Sequence, residues 1–295
     1  MVSQKLTYLA GGLDGQTHVK KSVRQISVVE VLVKVTHSGL CGTDTHNVTL
    51  GCRLRHEEVG VIESVGHELT AVRIIQRVAW GYRQYYPDSR GQKNGELEQG
   101  GAFGDYVIKH QDFAYLIPEE VESKYAGPLN CAGTTVYEGL HAAGPKSSER
   151  VGIVGLGGLG HLAVMYARAM GCDVLFFSNS EAKKADAIAL GSNELNLLSP
   201  TSTKAIKVKA GINLLLLCRG ALPSFELLMP SLGRRAAVVP LIIQEQSLVI
   251  VYMPFLLSGN RIIASTEASR ENHINEFPMN SEGLAKDFRA FFSGK

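Results

Sequence analysis

Apolar and polar positions alternate through the first part of the chain. In Val28–Val35, Val31, Val33 and Val35 share one face, with Lys34 and Thr36 among the intervening positions; this predicts a half-buried strand ending at Ser38-Gly39. Val59–Val65, Gln76–Trp80 and Tyr106–Lys109 read as further strands, and their shortness and glycine punctuation predict a compact β-barrel-like domain. The texture changes near Pro128. Asn130–Ala143 is a small-residue helical stretch closed by Gly144-Pro145, a pair that supplies a left-handed position and then removes a donor. Val151–Val154, a glycine-rich turn, a helix through Met170 and the strand Val174–Phe177 make a βαβ unit. Lys183–Leu190 then reads as a helix, Ile212–Cys218 as a strand buried on both faces, Pro223–Ser231 as a helix and Arg235–Leu241 as a strand. Uninterrupted apolar strands alternating with helices predict a doubly wound parallel sheet. Ser269–Lys295 is more polar and ends in a predicted short helix, Leu284–Phe292.

Composition sharpens this picture. At roughly 100–200 residues per domain, 295 residues predict two domains. With 45% hydrophobic and 20% charged residues, the chain fits neither disorder nor a fibrous repeat. The 30 Lys and Arg against 28 Asp and Glu leave a net charge of +2 without a basic stripe, so a nucleic-acid partner has no electrostatic footprint. Five Cys, at positions 41, 52, 131, 172 and 218, are too scattered for a disulfide framework and point to a reducing compartment. The start has no secretory h-region, and stretches such as Leu248–Leu257 fall short of the roughly 20 apolar residues a bilayer span needs. The expectation is a cytoplasmic protein with no membrane partner.

Gly155-Leu156-Gly157-Gly158-Leu159-Gly160 matches G-x-G-x-x-G between a predicted strand and a predicted helix, His161–Met170. Such a loop can turn tightly, approach a pyrophosphate and aim helix N-terminal N–H groups at its charge. A tight turn that holds nothing is the plainer alternative. In dinucleotide folds a carboxylate about 20 residues further on accepts the ribose 2′-OH of NAD. Here the second strand ends Phe176-Phe177-Ser178-Asn179-Ser180, with no carboxylate at its tip and Lys183-Lys184 just beyond. These donors suit a 2′-phosphate, so NADP(H) is preferred over NAD(H). Glu181 works against that preference, and the two lysines also fit an ordinary solvated helix face.

Cys41-Gly42-Thr43-Asp44-Thr45-His46 follows the first long strand, Arg55-His56-Glu57-Glu58 comes next, and Cys131 stands near the start of the small-residue helix. Cys, His and Cys with a fourth position open is the donor set of a catalytic rather than a structural zinc site. Buried thiols and a satisfied core histidine are the plainer reading of three dispersed residues.

With these neighbours the chain resembles the zinc-dependent medium-chain alcohol dehydrogenases, within the cinnamyl-alcohol-dehydrogenase-like group. The matching segments are VLVKVTHSGLCGTDTH, RHEEVGVIESVG, LNCAGTTVYEGLHAAG and RVGIVGLGGLGHLAVMYARAMGCDV, and the likeness runs from about residue 30 to 270. It implies an α/β protein with a GroES-like β-barrel catalytic domain over residues 1–127, to which 270–295 return. A Rossmann doubly wound parallel sheet over 128–269 carries the dinucleotide, with the active site in the cleft between the two domains. Carried over position by position, Cys41, His56 and Cys131 would hold one catalytic Zn²⁺, and Glu57 would be the carboxylate beside the metal that coordinates it transiently. Thr43 would hydrogen-bond the reacting oxygen and begin a proton relay through the cofactor ribose to His46, and Asp44 would orient His56. Simple turn chemistry is the alternative for Thr43 and Asp44. The implied reaction is hydride transfer between the nicotinamide and a small-molecule primary alcohol or aldehyde, with the metal stabilising the deprotonated alcohol. The family also suggests a homodimer formed along the Rossmann sheet near Ile262-Ile263. Two other readings are a dehydrogenase-derived protein that binds NADPH without turnover, and a zinc-independent double-bond reductase of the wider superfamily.

The pattern is broken in three places. Many relatives carry a second, structural zinc on four closely spaced Cys, but between Trp80 and Phe103 this chain has none, so that lobe is expected to be shortened and free of metal. Arg55 stands where the family pattern has Gly, beside a candidate ligand. After Ser269-Arg-Glu-Asn-His the long helix expected next is missing before Asn275-Glu-Phe-Pro-Met, and the usual final strand is absent. A trimmed variant and a mis-assembled coding sequence both fit this reading.

Overall fold

The computed structural model describes residues 3–49, 56–81, 103–198, 205–220, 224–244 and 247–279. These fall into two compact units, one within Met1–Thr134 and Glu267–Ala285, the other within Thr135–Thr266.

The first unit is built on antiparallel strands. A hairpin, β1 (Ser3–Gly11) and β2 (Thr17–Gln25), precedes β3 (Glu30–Ser38), α1 (Gly42–Thr49), β4 (Glu58–Val65), β5 (Arg77–Trp80), β6 (Tyr106–His110), β7 (Tyr115–Leu116) and α2 (Ser123–Pro128). The sheet order is β6-β3-β4-β5-β7, antiparallel throughout. Val31, Val33, Ile62, Val78, Trp80 and Val107 fill one side of it. Leu32 and Ile108 point to the other side, where Leu6, Tyr8 and Ala10 of β1 cover them. The strand expected to be half-buried is therefore buried on both faces over Val31–Val33, because β1 supplies a second layer. Full burial of each Val or Leu contributes roughly 1.5–3 kcal/mol, so β1 is part of the core of this unit.

Asn130–Ala143 does not fold as one uniform helix. A π-helical turn, Leu129–Gly133, leads into α3 (Thr134–Ala143), and the Thr134 hydroxyl donates to the Cys131 carbonyl at 3.1 Å within it. Wide turns of this kind are uncommon and concentrate at functional positions.

The second unit contains β8 (Arg150–Val154), α4 (Gly158–Ala169), β9 (Asp173–Ser178), α5 (Lys184–Ala189), β10 (Glu194–Leu197), β11 (Ile212–Leu217), α6 (Phe225–Leu228), β12 (Leu232–Pro240), α7 (Tyr252–Ser258) and β13 (Arg261–Ile262). Its sheet is parallel, in the order β10-β9-β8-β11-β12-β13. From β8 the chain moves outward through β9 and β10, then crosses back to place β11 on the other flank of β8. That reversal is a topological switch point, and it opens a crevice beyond the carboxyl ends of β8 and β11. Val154, Leu175, Phe177, Leu215, Leu217 and Val238 are buried together, which accounts for the continuous apolar runs of the central strands.

The chain then re-enters the first unit as α8 (Arg270–Met279). Where the long helix is expected to be missing before Asn275, the chain forms this 10-residue helix, which runs through that residue. Among its described side chains the buried ones are Asn272, His273 and Glu276, all polar. His273 stacks on Tyr115 with ring centroids 4.4 Å apart, and its Nδ1 lies 3.2 Å from Asn130 Oδ1. Arg270 donates to the Asp112 carbonyl at 2.9 Å. The expected helix Leu284–Phe292, Arg55 and the segment of the structural-zinc lobe lie outside the described residues. Among the described residues no helix is long and apolar enough to cross a membrane.

Candidate functional site

Three separate segments of the first unit converge on one spot. Cys41 ends the connection after β3, His56 and Glu57 immediately precede β4, and Cys131 sits in the π-helical turn. Their donor atoms all lie within 4.8 Å of one another, and the two Sγ atoms are 4.0 Å apart. The local chain is shaped to present them. Asp44, in the first turn of α1, accepts the Cys41 N–H through Oδ2 at 3.0 Å, and its Oδ1 lies 4.0 Å from His56 Nδ1. Glu58 Oε1 accepts the His56 N–H at 2.7 Å. His56 has φ 136°, a conformation a non-glycine residue adopts at a cost of about 1–3 kcal/mol and one that clusters at functional sites. The Glu57 carbonyl accepts the Gly39 N–H at 2.7 Å, which ties the segment after β3 to the segment before β4.

Burial and mutual charge shift the four donor groups. A hydrogen bond from Cys131 lowers the Cys41 thiol to about 3, against the effect of burial, with His56 adding to the shift. The same Cys41 bond, together with burial, holds the Cys131 thiol well above its ordinary range. Burial alone would lower His56, but the hydrogen bond and charge of Cys41, with Glu267 and Asp44 behind it, raise it to about 9. Burial and the Cys41 charge push Glu57 up to about 7. The cluster is thus an excess of anionic donors around one imidazole, holding protons where a cation could sit.

Glu267 has no counterpart in the sequence reading. It takes φ 56° where the chain re-enters the first unit, its Oε2 is shielded from solvent and accepts no hydrogen bond among the described residues, and its charge acts on His56, Cys41 and Cys131. Burial, partly offset by His56, raises its carboxyl to about 7. A lone acid between Thr266 and Ala268 carries no motif that could have announced it. Of the other expected residues, Thr43 places Oγ1 3.7 Å from Cys41 Sγ. His46 lies on α1, and its side chain is outside the described residues.

The glycine loop occupies the second unit. β8 leads through Gly155 into α4, which begins at Gly158, earlier than the expected His161, so Leu159 and Gly160 belong to the first turn of the helix. Gly155 has φ 96° and donates its N–H to the Phe177 carbonyl at 3.0 Å, and a Cβ on Gly160 would overlap the Gly155 carbonyl oxygen. Only glycine fits either position. A Cβ at Gly157 or Gly158 would meet nothing within 4 Å, so the loop is open on its outer side. At the tip of β9 the buried Ser178 Oγ accepts the Ser180 N–H at 3.1 Å, with Asn179, Lys183 and Lys184 exposed around it.

Comparison with known proteins agrees with this geometry. Residues 28–119 match the family described as "Alcohol dehydrogenase GroES-like domain". An alcohol dehydrogenase of Geobacillus stearothermophilus is 30% identical over 284 residues, covering 89% of this chain and 84% of that protein. The NADP-dependent alcohol dehydrogenase 6 of Saccharomyces cerevisiae is 26% identical over 270 residues, covering 81% of this chain and 75% of that protein. The solved structure of a cinnamyl alcohol dehydrogenase from Sorghum bicolor has a TM-score of 0.83 and 25% identity, covering 95% of this chain and 88% of that one. With a GroES-like unit, a Rossmann-type parallel sheet and this degree of likeness, the chain belongs to the zinc-type medium-chain alcohol dehydrogenase family, whose members are alcohol oxidoreductases.

Proposed function

We propose that this protein is a zinc- and NADP(H)-dependent oxidoreductase that interconverts a small primary alcohol and its aldehyde. The observation that carries the reading is the convergence of Cys41, His56, Glu57 and Cys131 within 4.8 Å in a chain of this family. Two thiols and an imidazole are the soft donor set zinc favours, and a set of three with one position open is the catalytic pattern. The protons crowded into the cluster fit the same group, since a divalent cation displaces them. Zinc held there would supply Lewis-acid polarisation of a substrate oxygen.

The family resemblance suggests the roles of the residues, and their placement supports them. Cys41, His56 and Cys131 would hold the ion. Glu57, buried against them, would alternate with the open position. Asp44 faces the His56 ring and fixes its orientation, as carboxylates beside ligating histidines do. Thr43, whose hydroxyl lies beside Cys41, would take the proton of the substrate hydroxyl at Oγ1 and pass it towards His46. The Gly155–Gly160 loop would bind the dinucleotide, and Ser178, Asn179, Ser180, Lys183 and Lys184 would receive the 2′-phosphate. The named cofactor of the yeast relative supports NADP(H). β13 forms the sheet edge, and homodimer formation along it near Ile262 and Ile263, in the cytoplasm, completes the proposal.

Elemental analysis together with NADPH oxidation across a panel of small aldehydes tests it on one preparation. About one zinc per chain and NADPH-dependent turnover are expected. Absence of zinc would remove the metal chemistry, and zinc with bound NADPH but no turnover would leave a binding protein.

A further inference from the structure

Arg219 follows β11 directly after Cys218, whose N–H donates to the Val154 carbonyl at 2.9 Å and so fastens the end of β11 to the end of β8. From there the Arg219 side chain lies along the glycine loop. A Cβ on Gly155 would come within 2.5 Å of Arg219 Cβ, 2.9 Å of Cγ and 3.2 Å of Cδ. The guanidinium therefore belongs to the crevice between β8 and β11 that the strand order opens. Its Nε donates to the Gly220 carbonyl at 3.2 Å, while its two Nη groups have no hydrogen bond or ion pair among the described residues. The loop itself, Gly155 to Gly160, contains no charged residue. A half-buried cation with free donors thus overhangs a neutral cradle of N–H groups.

We propose that Arg219 is the cation of the dinucleotide site and contacts the diphosphate bridge, the part that NADH and NADPH share. The assignment rests on the dinucleotide reading of the loop. A guanidinium matches phosphate oxygens bidentately, and the diphosphate is the ligand segment that a glycine loop and helix N-terminus attract. The adenosine 2′-phosphate is the wrong target for geometric reasons. Its candidate partners sit at the tip of β9, on the far flank of β8 from β11. With strands about 4.8 Å apart that is roughly 10 Å away, and the stem of Arg219 is already committed to Gly155.

The test compares the full-length protein with Arg219→Met, which keeps an apolar stem over Gly155, and with Arg219→Lys and Arg219→Gln, which guard against a folding defect in the first variant. Each is titrated with NADPH, NADH, ADP-ribose and adenosine 2′-monophosphate at one ionic strength. Loss of a charge-assisted contact should weaken NADPH, NADH and ADP-ribose by the same factor, about ten- to a hundredfold, and leave adenosine 2′-monophosphate unchanged. Arg219→Lys should recover part of the loss. Weakening of NADPH alone would assign Arg219 to the 2′-phosphate and overturn the proposal. Unchanged affinities would reduce it to a packing stem over the loop. Failure of the unmodified protein to bind any dinucleotide would overturn the reading of the loop itself, and this assignment with it.

Discussion

Cys131→Ser separates metal binding from folding and from cofactor binding. Cys131 is 7% exposed, and its backbone geometry is held by the Thr134 hydroxyl on its carbonyl, a contact the substitution leaves in place. Serine is slightly smaller than cysteine and keeps a polar atom at the same position, so the folding cost should be about 1 kcal/mol. Its hydroxyl does not ionise, however, and is a hard, weak donor to zinc. Four-donor zinc sites bind with apparent free energies of about 10–16 kcal/mol, so one donor in four carries about 2.5–4 kcal/mol. At 1.4 kcal/mol per decade, zinc affinity should fall about a hundred- to a thousandfold. Competition with a chromophoric chelator at fixed pH measures this. NADPH affinity should stay unchanged, because the Gly155–Gly160 loop belongs to the other unit. Cys218→Ser is the matched control: that thiol, pushed up to about 12 by burial, lies in the second unit and belongs to no metal-donor cluster among the described residues. If Cys131→Ser binds zinc within about threefold of the parent protein, Cys131 is not a ligand and the four-donor site is wrongly composed.

Zinc uptake should release protons, because at pH 7 the metal-free site holds one on Cys131 and one on His56, both raised above neutrality. About two protons per zinc from Cys131 and His56, and up to about one more from Glu57 and Glu267 together, are expected near pH 7 and fewer above about pH 9, with affinity rising as pH rises between; calorimetry in buffers of different ionisation enthalpy counts them, and a count near zero would contradict the proton-loaded cluster. Ser178→Asp should reverse the proposed preference for NADPH over NADH by placing a carboxylate at the tip of β9, whereas Lys183→Ala with Lys184→Ala should only flatten it; equal dissociation constants in the unmodified protein would reduce these residues to a solvated surface. His273→Ala should destabilise the first unit by about 2–4 kcal/mol in denaturant titration, since it removes the stacking on Tyr115 and leaves the Asn130 carboxamide short of a partner; a change under about 0.5 kcal/mol would show that α8 is not held there.

The second unit was legible because its physics is local. Central parallel strands are buried on both faces, so Val174–Phe177 and Leu214–Leu217 appear as uninterrupted apolar runs, and the switch from β8 into α4 requires glycine at Gly155 and Gly160. The N-terminal hairpin went unread for the opposite reason. β1 does alternate, through Leu6, Tyr8 and Ala10, but β2 has no buried face, with Val19 and Val23 exposed among Lys20, Lys21 and Arg24. An apolar pattern cannot announce a strand that only completes hydrogen bonds. α8 is the stricter case, because its buried described side chains, Asn272, His273 and Glu276, are all polar.

The site divides along the same line. Cys41, His56 and Cys131 are readable as residue types that bind metal, and Asp44 and Glu57 only through the family resemblance. Glu267 was not, because its relation to His56 and Cys41 exists only once the chain has crossed the second unit and returned. Its consequence is electrostatic. Asp44, Glu57 and Glu267 together with two thiols surround a single imidazole, and burial makes each unneutralised charge costly. The metal-free cluster meets that cost by keeping protons on Cys131, His56 and part of its carboxyls. A divalent cation would replace those protons with one compact charge, so under the proposed zinc site the acid that the returning segment adds would strengthen the first unit's preference for the metal. Residues far apart in the chain and individually unremarkable in sequence thus act on one quantity, the charge that the space among Cys41, His56, Glu57 and Cys131 must hold.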